Sequence, residues 1–513
     1  MTTINCPAAK VHNGLWVLLA VCLAALTLPL SFTGGAIATP AISRTLGGSA
    51  ASLTWITNAF MLTFGSLLMA AGALADQLGR KRIFAGGIVA FVVFSLASSF
   101  ASSVVALDLF RAAQGVGAAA ALAGGSAAIA QEFEGHARVK AFSALGTTFG
   151  VGLAFGPILM GLLVDRYGWQ SVFAVSGVVG IVAMALGLPR MRETRDPDAA
   201  KLDWAGIASF TAMLMLLTFG VIQGPSYGWT SPIVLATLAG AALMAVCFVA
   251  IESRAARPML DLTLFRYPRF VGVQLLPIAT CCTYVVFLIL LPHRFIGVEG
   301  LSEIDAGLLM LSISAPMLVV PYAAAQVARW ISPGILSAIG LLLAAMGVFW
   351  LGRTSLSSAD ATASAQLAIA LPVVPPMLLI GLGVGIPWGL MDGLSVTVVP
   401  KERAGMASGI FNTSKVASEG VILAITTAVL GSLTAYNASN ILAQSVDQSL
   451  LRETAQHVVT GTLPRTGKLA LKIDSIILTD SYHNAFQSLS TGLAVLTAAI
   501  SLIVLLLLRK SKS

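Results

Sequence analysis

Five charged side chains stand inside hydrophobic runs, where an apolar chain accommodates them least: Asp108, Arg111, Asp392, Lys415 and Glu419. Asp108 and Arg111 are three residues apart, so on a helix they share a face and can neutralise each other. Asn412, Lys415 and Glu419 follow i, i+3, i+7 spacing and form one polar stripe, in which Lys415 and Glu419 are an i, i+4 pair of opposite charge. Burial penalises an ionised carboxylate and a nearby cation favours it, so a carboxylate in such a stripe can exchange protons as water gains and loses access. A permanently paired structural bridge is the other reading of the same spacing. Asp392 lies one to two turns before Pro400. Adjacent Cys281 and Cys282 lack His or carboxylate partners and read as small apolar fillers, so neither a metal nor a cofactor is expected. With no catalytic constellation elsewhere, the chemistry on offer is proton exchange and ion pairing, and the chain reads as a non-enzyme.

The elements that must position these residues follow from composition. Charged residues make up 10% of the 513 and hydrophobic ones 57%, against about 25% charged in soluble domains. That excludes a soluble globular fold and a disordered chain alike, and makes a lipid bilayer the solvent. The apolar runs are continuous and not alternating, which excludes a β-barrel. The sequence predicts an all-α membrane protein with fourteen spans, at 16–41, 53–73, 83–101, 105–130, 141–164, 172–188, 204–222, 232–251, 270–292, 306–325, 335–351, 366–399, 405–433 and 485–508. The net charge of +8 is parcelled out between spans, so no nucleic-acid partner is expected. Of the 30 Lys and Arg, 20 fall in the loops that share a side with the amino terminus, which puts both termini in the cytoplasm. Two polar segments interrupt the pattern, 189–203 and the outer loop 434–484. Within the latter, 461–469 imitates a nucleotide-binding loop but has one residue too many, Leu469 in place of the metal-binding hydroxyl, and no preceding strand. ATP is therefore not expected as the energy source.

Several local sequences go further. The second and third spans are joined by Gly72-Ala73-Leu74-Ala75-Asp76-Gln77-Leu78-Gly79-Arg80-Lys81-Arg82, and the fourth span contains Arg111-Ala112-Ala113-Gln114-Gly115-Val116-Gly117. The fifth carries Gly150-Val151-Gly152-Leu153-Ala154-Phe155-Gly156-Pro157, with Gly161 beyond. Gly168-Trp169, Leu202-Asp203-Trp204, Tyr227-Gly228-Trp229, Pro258-Met259-Leu260-Asp261-Leu262 and the stretch from Pro400 to Asn412 complete the set. On these motifs the chain resembles the major facilitator superfamily, in its branch of fourteen-span drug:proton antiporters, over nearly its whole length. An echo of the first loop stands at Ala325 to Gly334, with Arg329 where the acid would be.

The resemblance implies a major facilitator fold with 14 transmembrane helices, two six-helix bundles plus two inserted helices. Residues 1–189 would form the first bundle, 190–269 the linker and inserted helices, and 270–513 the second bundle with its outer loop. It implies a proton-coupled exporter of amphipathic or aromatic small molecules working by alternating access. The alternative is a narrow exporter of one metabolite, antibiotic, siderophore or lipid. Its partners would be a small-molecule substrate, protons and the lipid bilayer, and it would act as a monomer in a bacterial inner membrane. Asp76, Gly79, Arg80, Gly156 and Pro157 would form the conformational gate, with Asp76 facing the start of span thirteen near Gly405. Asp392, Glu419, Lys415, Arg111 and Asp108 would carry proton coupling. Ser31, Trp55, Phe60, Gln114, Phe149, Trp388 and Asn412 would line the substrate cavity.

The sequence also departs from the branch's pattern. Ser31 and Ala36 replace an acid and an amide of the first span, Ser143 and Met160 stand at glycine positions of the fifth, and His293 and Arg294 follow the ninth.

Overall fold

The computed structural model describes residues 7–133, 135–195, 203–254, 260, 262–354, 371–399, 404–442, 448–462 and 475–508. Leu202, Pro258, Met259, Asp261, Pro400 to Arg403 and most of 461–469 lie outside them. Every described element is helical. Inside a bilayer the backbone must satisfy its own hydrogen bonds, and long Leu, Ala, Val and Ile runs do so as helices.

The first set is α1 (Pro7–Leu46), α2 (Ala50–Leu78), α3 (Arg80–Ser99), α4 (Val104–Glu132), α5 (Gly135–Tyr167) and α6 (Gln170–Gly187). α7 (Trp204–Tyr227) and α8 (Pro232–Arg254) follow. The second set is α9 (Pro268–Val298), α10 (Glu303–Val327), α11 (Pro333–Leu351), α12 (Val374–Thr397), α13 (Ala404–Ile441) and α15 (Ser475–Leu508). A short amphipathic helix, α14 (Gln448–Val459), lies between α13 and α15. Thirteen of the helices are individually long and apolar enough to cross a bilayer, and α5 makes the fourteenth as a span bent by 44° between Leu153 and Phe155. Pro157 explains the bend, because it cannot donate to the preceding turn.

Tight turns separate the helices. Ser49, Ser103, Asp203, Ser302 and Ser332 each cap the helix that follows by accepting a backbone N–H. Between α2 and α3 there is one residue, Gly79 at φ +117°, a conformation open to glycine.

α1 to α6 pack as one six-helix bundle, and α9 to α13 with α15 as the other. α7 lies against both α2 and α13, at the seam between them, and α8 lies against α7. Only 17% of α8's most apolar stretch is buried, against 89% for α9, so α8 faces lipid and α9 runs through the protein interior.

One end of the molecule carries the loops with Arg80, Arg82 and Arg190 and is here the basic end; the other carries Arg44 and α14. The bundles meet unequally at the two ends. α5 and α10 approach backbone to backbone at Gly161 and Glu303 and still touch at Gly150 and Met317, while Gly146, nearer the basic end, faces open space. α2 and α13 meet at Gly65 and Ala417, while Gly72 and Gly409 face open space. At the Arg44 end, Nη2 of Arg44 on α1 lies 2.7 Å from Oε1 of Glu303 on α10. The space between the bundles therefore opens at the basic end and is closed at the Arg44 end.

Candidate functional site

Two polar clusters occupy the membrane-spanning core, and the opening divides them. The first is sealed. Arg111 of α4 is 0% exposed. Its Nε donates to the Ile56 carbonyl at 2.8 Å, Nη1 to Gln114 Oε1 at 2.5 Å, and Nη2 to the Ser31 carbonyl at 3.2 Å. Gln114 in turn donates to Ser95 Oγ at 2.8 Å and Ser31 Oγ at 3.4 Å. The rings of Phe60 and Phe173 stand 4.4 and 5.6 Å from the guanidinium carbon. Five N–H donors in a rigid fork let one arginine tie α1, α2 and α4 together through neutral acceptors.

This cluster differs from the sequence reading in three ways. Arg111 and Asp108 share a face but form no ion pair among the described residues, and Asp108 Oδ1 is buried without a hydrogen-bond partner. The guanidinium is satisfied instead by three carbonyl-type acceptors, Ser31 on α1, Ile56 on α2 and Gln114 on α4 itself. Ser31, Phe60 and Gln114, expected to line a cavity, are all buried within this network in the described state. Trp55 packs at the α2–α7–α13 seam, with a ring–ring contact of 6.2 Å to Phe219 of α7.

The second cluster is reached from the opening. Along the stripe on α13, Asn412 is exposed and Lys415 and Glu419, farther from the basic end, are half-buried. Asp392 of α12 is exposed and Trp388, one turn away, is half-buried. Lys415 does not bridge to Glu419; its Nζ sits 4.4 Å from the centre of the Trp388 ring. Tyr284 of α9 meets that ring edge-on at 6.0 Å. Cys281, on the same π-helical turn Cys281–Val285, reaches the Glu419 carbonyl with Sγ at 4.0 Å. A π-turn inserts one extra residue per turn and often marks a functional position in a helix. Nothing in hydrophobic periodicity announces it, so Tyr284 was not legible as part of the site. Phe149 of α5 is half-buried and packs against two core clusters, one confined to the first bundle and one that spans both bundles. No group of His, Cys, Asp and Glu that could hold a metal is found among the described residues.

At the basic end, Arg80 donates from Nη2 (2.9 Å) and Nε (3.2 Å) to Asp76 Oδ1. The same loop grips the segment after α6: Arg80 N donates to the Thr194 carbonyl at 2.9 Å, and Arg82 pairs with Glu193 at 3.5 Å. At the opposite end a second charged cluster buries a guanidinium and a carboxylate, with a partly exposed imidazole beside them. Arg294 Nε donates to Glu299 Oε1 at 3.0 Å and Nη2 to the Thr354 carbonyl at 2.8 Å, and His483 Nε2 stands 3.0 Å from the same Glu299 oxygen. Burial alone would raise the Glu299 carboxyl, but the His483 hydrogen bond and the Arg294 charge outweigh it and hold the carboxyl below its usual range. Sequence spacing hides this pair, because i, i+5 is not a helical contact; the π-turn His293–Val298 makes it one.

The profile of the Major Facilitator Superfamily matches residues 19–421. The chain belongs to that superfamily. Among its relatives, the multidrug resistance protein Stp of Mycobacterium tuberculosis is 32% identical over 429 residues, 82% of this chain and 76% of Stp. The tetracenomycin C resistance and export protein of Streptomyces glaucescens is 29% identical over 510 residues, 97% and 91% of the two chains. The inward-facing crystal structure of a bacterial homologue of the human lysosomal transporter Spinster shares the fold, with a TM-score of 0.63 and 14% identity over 99% of this chain and 100% of that one. This major facilitator protein is thus a multi-pass membrane transporter of small molecules and not an enzyme. Its fourteen spans are two six-helix bundles with α7 and α8 inserted.

Proposed function

We propose that this transporter exports amphipathic or aromatic small molecules in exchange for protons, by alternating access between bundles 1–189 and 270–513 with 190–269 joining them. It would act as a monomer in a bacterial inner membrane, both termini cytoplasmic, so the basic end faces the cytoplasm and the described state opens inward. The names of the relatives, a multidrug resistance protein and an antibiotic exporter, support the direction and the class of cargo.

The observation that carries the reading is the half-open stripe on α13. It sets a carboxylate, a cation and an indole side by side in a space that water enters from one end only. A carboxylate there is protonated or ionised according to which side is open, and its charge decides what else the cavity holds. Asp76 with Arg80, and the bend at Gly156-Pro157, would move as the basic end closes.

In inverted vesicles with an imposed pH gradient, Glu419→Gln is expected to lower proton-driven ethidium transport by at least about tenfold, with Asp392→Asn milder because Asp392 is exposed. If both variants transport as the wild type does, the coupling assignment is overturned. The narrow-specificity reading draws on one observation, the absence of an acid at Ser31, whose carbonyl and not a carboxylate meets Arg111. Competition of anionic against cationic substrates in the same vesicles separates the two.

A further inference from the structure

A lysine four residues before a glutamate on one helix is ordinarily drawn to it. Glu419 is that glutamate for Lys415, yet no ion pair of 4.0 Å or less joins them among the described residues, and the ammonium lies over the Trp388 ring instead. The cation has two seats, an aromatic face and a carboxylate, and in the inward-open state it takes the first. That face is also what a planar molecule entering from the basic end meets, since Trp388 is half-buried and Asn412 and Asp392 beside the entrance are exposed. Tyr284 closes the ring's far edge.

We propose that Lys415 competes with substrate for Trp388. An uncharged planar aromatic molecule stacks on the indole, the displaced ammonium moves to Glu419, and the Glu419 proton leaves. The balance is simple: the carboxyl O–H bond breaks, its proton goes to the water of the open cavity, and the ammonium replaces it as the neutralising charge. No bond to the substrate forms. From the other side a proton re-forms the carboxyl, Lys415 returns to Trp388, and the ring is expelled. Linkage makes the two effects reciprocal, so substrate lowers proton occupancy as much as a proton lowers substrate affinity.

The same geometry names the substrate class. A cationic ring pairs with Glu419 directly and needs no lysine, whereas an anionic one holds Lys415 at its own side; only an uncharged ring sends Lys415 to the carboxylate. The titratable groups facing Glu419 are Lys415 on its own helix and Cys281 on α9, with Tyr284 beyond Trp388 and Asp392 at the opening. α2 packs on α13 through Met61 and Gly65 and offers no titratable group there.

The inference rests on the proton-coupled reading. Its test is calorimetric titration of the purified full chain with 2-(hydroxymethyl)anthraquinone in two buffers of different ionisation enthalpy, which counts protons released. The wild type is expected to release about one proton per ligand bound. Lys415→Ala should bind about three- to thirtyfold more tightly, its cation–π competitor gone, and release none. Trp388→Leu should bind more weakly and release none, and Lys415→Arg should restore release. A Lys415→Ala protein that binds no tighter, or releases as many protons as the wild type, overturns the proposal. So does a wild type that exchanges ethidium for protons in vesicles but does not bind the anthraquinone. A wild type that moves no protons with either compound overturns the coupled function itself.

Discussion

Ser31 supplies a backbone carbonyl and a hydroxyl where a carboxylate would sit directly against Arg111, 3.2 Å from its Nη2. A buried guanidinium without a formal counter-ion survives because neutral oxygens and two aromatic faces surround it. That arrangement predicts a strong dependence between the two positions. Ser31→Asp in the wild-type background should fold with little change in melting temperature, since the new carboxylate lands beside a cation. In an Arg111→Leu background the same change should cost about 3 kcal/mol or more, because it buries a charge alone. Thermal melting of the four proteins of this cycle measures the difference, and equal costs in the two backgrounds would rule out a direct pairing. Lys415 and Glu419 show the converse: residues that spacing pairs are held apart by a better aromatic partner across the gap.

At the level of elements, α5 decides how the bundles meet. Its Gly161 lies against the Glu303 carbonyl so closely that an added Cβ would overlap it, and Gly307 of α10 returns the contact against Pro157 and Ile158. Such small-residue contacts let helices approach in lipid, where no hydrophobic force drives them together. Gly161→Val should disfavour the state closed at the Arg44 end by about 1–3 kcal/mol, the usual cost of overpacking. Spin-label distances between the Arg44-end tips of α1 and α10 should then show a larger open population than in the wild type; an unchanged distribution would mean the contact does not govern closure. The motif loop after α2 acts at the other end, where Arg80 and Arg82 tie it to Glu193 and Thr194 ahead of the inserted pair.

For the molecule as a whole, closure at one end and opening at the other is a matter of which charged groups are enclosed. Glu299, with Arg294 and His483, joins the end of α9 to α15 and to the turn after α11, and both carboxylate and guanidinium are almost fully buried. Folding depresses this carboxyl, so its contribution is complete above its unfolded value and is lost as the pH falls through the lower folded one. Glu299→Gln should therefore destabilise the protein by about 3–5 kcal/mol at neutral pH, by leaving Arg294 without its charge partner. The gap between variant and wild type should narrow in strongly acidic buffer. Melting in detergent across that range checks it; a gap independent of pH would assign the loss to packing.

Composition and hydrophobic run length settled the bilayer, the all-helical class and the fourteen spans, because lipid leaves a chain so few ways to satisfy its backbone. The motif loops point to the superfamily, and charge scarcity by itself singles out Arg111, Lys415 and Glu419. Spacing along one helix could not tell which neighbour a long side chain prefers, since that choice lies with other helices: Ser31 and Ile56 for Arg111, Trp388 for Lys415, Phe219 for Trp55. Nor could it foresee the two π-turns of α9, which shift the register by one residue and so create both the Tyr284 edge and the Arg294–Glu299 pair. Local pattern decides what a segment becomes in lipid, and only packing between segments decides which of its polar atoms meet.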